Sequence, residues 1–175
     1  MRPAESEIVK ALTVKGNRQV GYVTGTAQYN RLGLTTQVSD VIVIARNTRL
    51  PEKDVNGYKV RFVTRTIKFT GKDVPLLQLL NAIRDIKYIP DTSVDKSVSV
   101  LVSKLRSLKT EELKRLVKLA NQYNPATKAL VGALTEYCFI GIDVTELSKS
   151  LNPLTKYKIG IAVSMLPTIP KWSIE

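Results

Sequence analysis

The sequence predicts an α/β protein of the α+β type: a small mixed sheet in the first half, followed by a bundle-like helical second half. Three observations carry this. Residues 41–45 form a continuous β-branched run (Val41, Ile42, Val43, Ile44, Ala45), and residues 58–64 alternate apolar and cationic side chains. From residue 73 the apolar period changes from two to about 3.6. Charge is also uneven: residues 1–72 hold 13 basic and 5 acidic side chains, against 14 and 10 in residues 73–175.

Residues 3–12 read as a short helix with Pro3 in its first turn, Glu5 and Glu7 at its positive end, and Ile8, Val9 and Leu12 as its apolar patch. Gly16 and Asn17 are expected to end it. A strand over residues 20–24 and a helix over 26–32, closed by Gly33, follow. Residues 41–45 read as a strand covered on both faces, and residues 46–57 as a polar, basic loop. In the next strand Tyr58, Val60 and Phe62 face one side. Lys59 and Arg61 face the other, and Arg65 extends the row. Residues 67–69 would add a short third piece.

Asp73 and Pro75 open a helix with Leu76, Leu77, Leu80 and Ile83 on one face, stopped by Pro90. Val98, Leu101, Val102 and Leu105 repeat the pattern. Thr110 is expected to cap a third helix with Glu111 and Glu112 in its first turn and Leu113, Leu116, Val117 and Ala120 inward. Asn124 and Pro125 open a fourth, with Ala129, Leu130, Ala133, Leu134 and Tyr137 inward and Gly132 marking close helix packing. Gly141 ends the helical block. A short helix over 145–151 and a strand over 157–165, returning to the early sheet, complete the chain. The expected division is an α/β part, 1–72, with a basic strand face, and a mainly helical part, 73–175, together one compact unit.

Composition excludes several chemistries. The 175 residues contain no histidine and one cysteine. Ser-His-Asp and Cys-His catalysis are therefore excluded, and a zinc site would have to be built from carboxylates. Cys138 reads as a small buried hydrophobe. Gly21-Tyr-Val-Thr-Gly25 has neither the Lys-Ser/Thr ending of a phosphate loop nor dinucleotide-binding glycine spacing. The pairs Asp91 with Asp95 and Glu111 with Glu112 read as turn and helix-start residues, against a rival reading as Mg²⁺ ligands of a nuclease. Neither catalytic residues, metal nor cofactor is expected. No apolar run spans a bilayer, no leader pattern is visible, and a cytoplasmic protein without membrane contact is the expectation.

The net charge of +12 attracts polyanions. Arg46, Arg49, Lys59, Arg61 and Arg65 are the candidate nucleic-acid contacts, since guanidinium groups pair bidentately with phosphates. The rival reading is a solvated strand edge guarded by charge. Lys109, Lys114, Arg115 and Lys118 form a second basic face interleaved with acids.

Several phrases together resemble a family. Gly21-Tyr-Val-Thr-Gly-Thr-Ala-Gln-Tyr-Asn-Arg-Leu-Gly-Leu-Thr-Thr-Gln37, residues 41–46, Pro75-Leu-Leu-Gln-Leu-Leu-Asn-Ala-Ile-Arg-Asp-Ile-Lys87, Ile89-Pro-Asp-Thr92 and Ser150-Leu-Asn-Pro-Leu-Thr-Lys-Tyr-Lys-Ile-Gly160 are similar, in that order, to segments of AbiEi-like antitoxins. The resemblance covers nearly the whole chain. It implies the carboxy-terminal domain of a regulator from a type IV toxin–antitoxin system, one that counteracts a nucleotidyltransferase-like toxin without an obligatory stable complex. In the full-length family an amino-terminal winged helix autoregulates transcription. This chain starts where that head would end, so antitoxicity is expected of it and operator-specific DNA binding is not. The alternative is an autonomous nucleic-acid-binding module using the basic sheet face. Homo-oligomer formation is left open. Gln122, Lys128 and Glu136 are the expected exposed polar positions of the fourth helix and its approach.

Overall fold

A computed structural model describes residues 3–139 and 141–175. The chain is mixed α and β and divides into two compact units, one running to Gln78 and the other from Leu79 to Glu175. The boundary lies inside a helix, Val74–Arg84.

The first unit opens with α1 (Pro3–Thr13). Gly16 and Asn17 do not simply end this helix. They form the turn of a small hairpin between β1 (Val14–Lys15) and β2 (Arg18–Gln19), with Gly16 at φ +60°. Glycine at the first central position of a two-residue hairpin turn fits the strand twist. Next come β3 (Gly21–Thr24), α2 (Thr26–Arg31) and β4 (Val41–Arg46). The expected loop 46–57 contains a further strand, β5 (Lys53–Val55), paired with β6 (Tyr58–Thr64). Asn56 (φ +51°) and Gly57 (φ +80°) make the turn between them. Asn-Gly is a strong hairpin signal, because both central residues must take positive φ. Residues 67–69 are not a strand; Ile67 N–H is held instead by the Asn47 carboxamide oxygen (3.1 Å).

The sheet order is β3-β4-β6-β5. β4 pairs antiparallel with β3 and parallel with β6. No long crossover is needed for the parallel pair, because the chain leaves β4, runs back along the edge as β5, and returns through the hairpin into the gap. Tyr58, Val60 and Phe62 face Ile8, Ile42 and Ile44, with Val9 and Leu12 of α1 packed on the same cluster. α2 ends in a Schellman motif: Leu34 N–H donates to Tyr29 O and Gly33 N–H to Asn30 O, each 2.9 Å, with Gly33 at φ +76°.

The helix α3 (Val74–Arg84) is entered through a 3₁₀ turn, Gly71–Asp73. Thr70 is the cap, and Asp73 reaches back to the Thr70 N–H (2.8 Å). The helix stops at Arg84, well before Pro90, and a 3₁₀ turn (Ile86–Tyr88) follows.

The second unit contains α4 (Val94–Arg106), α5 (Thr110–Ala120), α6 (Pro125–Cys138) and α7 (Thr145–Lys149). Ser93 and Asn124 cap α4 and α6 through their side chains. The cap position of α5 is Lys109 rather than Thr110, and its N–H is satisfied by the Glu112 carboxylate (2.7 Å). The apolar stripes of α4 and α5 are buried as their periods predict. α6 is the central helix: α4, α5, α7 and the 3₁₀ turn Ile169–Trp172 all pack on it. Its residues 129–135 are buried without interruption, as befits a helix covered on every side. Tyr137 is the exception; it is exposed and lies under the Arg106 guanidinium, 5.5 Å from the ring centroid.

Residues 157–165 do not form a strand. Tyr157, Ile159 and Ile161 do alternate inward, but the segment pairs only through one bridge, Tyr157 to Ile174, among the described residues. Gly160 at φ +84° and the turn bond Met165 N–H to Ala162 O break any ladder. The segment is tied down by other groups: Lys87 Nζ donates to Lys158 O (2.9 Å), and Ala162 N–H to Asp95 Oδ1 (3.0 Å).

Gly132 does mark a close approach, but the partner is Trp172 rather than another helix. A Cβ there would lie 2.1 Å from the indole, which is itself buried. Helix propensity alone would make Gly132→Ala stabilising by about 1 kcal/mol. The indole reverses that sign: the variant is expected to lose about 1–3 kcal/mol by overpacking, read as a lower denaturation midpoint at unchanged slope.

Candidate functional site

The five cations expected to act together are separated by the sheet. In the parallel register Lys59 lies beside Val41 and Arg61 beside Val43, whereas Arg46 lies beside Thr64. Alternation then puts Arg46 on the face that α1 covers, opposite Lys59 and Arg61. Its Nη1 donates to Leu12 O at the end of α1 (3.4 Å). Arg49 is exposed in the loop after β4. Arg65 lies beyond the end of β6 and is partly buried. Its N–H donates to Arg46 O (2.7 Å) and its Nη1 to Thr64 O (3.0 Å).

The exposed face of β6 is also less cationic than its own sequence implies. Asp54 of β5 is the register partner of Lys59, and Glu52 ion-pairs with Arg61. With Lys53, these four charges line a cavity of about 260 Å³ that mixes both signs. A phosphate approaching here would have to displace one carboxylate and pass another. Exposed pairs of this kind add little stability. Their consequence is electrostatic, and it follows from the strand hidden in the presumed loop.

A second concavity has the opposite character. Arg18 of β2, Arg46 of β4 and Lys68 line a cavity of about 340 Å³ with Gln19, Asn47 and Phe69 among its walls, and no acidic residue lines it among the described residues. Arg18 and Lys68 were not singled out by sequence reasoning; the signal was absent, because the three cations are distant in the chain and converge only through sheet pairing.

The acidic candidates have structural occupations. Asp95 holds Ala162 N–H, Asp91 sits at a left-handed turn position (φ +53°), Glu111 pairs with Lys114 (2.8 Å), and Glu112 satisfies Lys109 N–H. Among the described residues no three His, Cys, Asp or Glu side chains gather to hold a metal ion, and no helix is long and apolar enough to cross a membrane.

On α6, Glu136 is not a free surface group. Its carboxylate accepts from Trp172 Nε1 (2.9 Å) and pairs with Lys171. Lys128 Nζ donates to Ser150 Oγ at 3.3 Å, and Gln122 is also engaged. Cys138 is half-buried rather than fully buried, with Sγ 3.9 Å from Val102 O. Burial pushes its thiol pKa up, partly opposed by Arg106. Asp143, which accepts from Thr145 at the start of α7, is held below the usual carboxylate range by that hydrogen bonding.

Comparison with protein-family models, curated proteins and solved structures found no significant match to the chain.

Two predictions follow from these contacts. Glu136→Ala should lower stability by about 1–3 kcal/mol, since the indole N–H loses its acceptor, whereas Glu136→Gln retains an oxygen and should cost under about 1 kcal/mol; thermal melts distinguish them. Alkylation of Cys138 should stay slow at neutral pH and accelerate only above the ordinary thiol range. Arg106→Ala should move that onset further up, because removing the cation disfavours the thiolate.

Proposed function

We propose that this chain is a non-catalytic antitoxin-type protein of a type IV toxin–antitoxin system, with a fold like the AbiEi carboxy-terminal domain, counteracting a nucleotidyltransferase-like toxin. The observation that carries the reading is the ordered set of phrases, above all residues 21–37. The resemblance calls for a strand, a helix and a Gly-Leu stop. Here those residues run as β3, α2 and the Schellman pair Gly33-Leu34. The same residues are also under physical constraint. A Cβ on Gly21 would come within 2.8 Å of Ala45 O, and Gly25 takes φ +77°.

A non-catalytic role is supported by the lack of histidine and by the structural occupation of three of the four candidate carboxylates, Asp95, Glu111 and Glu112. The alternative, a nucleic-acid-binding module working through the β6 face, has weaker support. The face's two exposed cations meet Asp54 and Glu52, and Arg46 lies on the other side of the sheet.

Co-expression of this chain with the nucleotidyltransferase-like toxin encoded beside its gene should restore growth. Leu116→Asp should abolish the rescue through unfolding, because Leu116 is fully buried and an unpaired carboxylate would enter the core. Absence of such a neighbouring gene, or failure of the soluble, folded chain to rescue, would overturn the reading.

A further inference from the structure

The cavity between β2, the end of β4 and the segment 67–69 is lined by charge of one sign. Arg18 comes from the β1–β2 hairpin, Arg46 from the last position of β4, and Lys68 from the extended segment after β6. Among the described residues Glu and Asp are absent from its walls, in contrast to the β6 face. Arg18 is exposed and makes no ion pair among the described residues.

Arg46 is partly buried, yet among the described residues its one side-chain hydrogen bond is the long 3.4 Å bond from Nη1 to Leu12 O, and its Nε is buried with no partner there. A partly desolvated guanidinium so poorly matched is stabilised by an anion that accepts from it.

The walls are rigidly placed. Val20 N–H donates to Thr13 O (2.7 Å), and Gln19 Nε2 to Gly21 O (2.7 Å), which fixes the Arg18 side. The opposite wall is pinned by Ile67 N–H on Asn47 Oδ1 and by Phe69, which meets Tyr22 edge-on at 5.5 Å.

From these observations we infer that the Arg18–Arg46–Lys68 cavity is a binding site for the phosphate group of a nucleotide. Two guanidinium groups and an ammonium match the charge of a phosphate ester, which carries up to about two negative charges near neutral pH. The cavity, about 340 Å³, is larger than a bare anion needs and falls in the range of small-ligand sites. Phe69 on its wall offers an aromatic surface to the attached base or sugar. The phosphate can belong to a free nucleotide or to a single strand of nucleic acid. The inference is independent of the antitoxin reading.

The test is calorimetric titration of the full chain at low salt with adenosine triphosphate, with inorganic phosphate, and with an oligothymidylate of about a dozen nucleotides. Saturable binding of either nucleotide probe is expected. Binding of triphosphate alone assigns the free nucleotide, binding of the oligonucleotide alone assigns the strand, and both uphold the site. Arg18→Gln should weaken binding about tenfold, the loss of one charge-assisted contact, with no change in melting temperature. Arg46→Gln should weaken it similarly, and its folding is checked by the same melt. The double variant Lys59→Gln with Arg61→Gln should change affinity less than about twofold, since neither cation lines this cavity. No saturable binding by either nucleotide probe, binding of inorganic phosphate alone, or equal losses in Arg18→Gln and the β6 double variant would overturn the assignment.

Discussion

The parallel register of β4 against β6 governs the electrostatics of the whole first unit. With Val41 beside Lys59 and Arg46 beside Thr64, every second residue of each strand is assigned to one face. Ile42, Ile44, Val60 and Phe62 then meet the apolar residues of α1, and Arg46 ends up at the rim of that same face. A one-residue shift of β6 would turn Val60 and Phe62 outward and bury Lys59 and Arg61. The cost of burying two unpaired cations makes that alternative inaccessible, so the hydrophobic cluster and the charge distribution are set by one constraint.

Edge strand β5 completes that arrangement. It covers the open side of β6 and brings Glu52 and Asp54 against Arg61 and Lys59. An edge carrying both signs of charge resists pairing with another chain's strand. It also removes the outer face of the sheet as a plain phosphate-binding surface. In this unit Arg18, Arg46 and Lys68 instead line a cavity with no carboxylate among its described lining residues. Charge excess along a chain and charge excess at a place on its surface are different quantities, and in this unit they separate.

In the second unit the organising contact is the Trp172 indole against the bare backbone of Gly132. It lets a 3₁₀ turn lie directly on the central helix. Trp172 Nε1 reaches Glu136 one turn further on, while Thr168 Oγ1 donates to Ala133 O (2.6 Å). A buried indole needs both an apolar seat and an acceptor, and α6 supplies them from positions four residues apart. Polar residues that look free on a helical wheel are thereby drawn into the structure, which shifts any search for an interaction surface away from Glu136.

Periodicity alone located the elements with strong local signals. The two long strands, the α3 to α6 stripes and the start of α6 at Asn124 follow from apolar spacing and from a side chain that satisfies a nearby N–H group. β5 was legible too, through Asn56-Gly57, but its three residues are polar enough to read as loop. The alternating burial of Tyr157, Ile159 and Ile161 is real, although residues 157–165 are no strand. Alternation could not report a pairing partner, because a period of two reflects burial and a strand also needs a neighbour to bond. Convergence of Arg18, Arg46 and Lys68, the placing of Glu52 and Asp54 beside Arg61 and Lys59, and the Gly132–Trp172 contact were decided only by tertiary structure. Each joins residues far apart in the chain, and local spacing carries no information about which distant segments the burial of apolar surface will bring together.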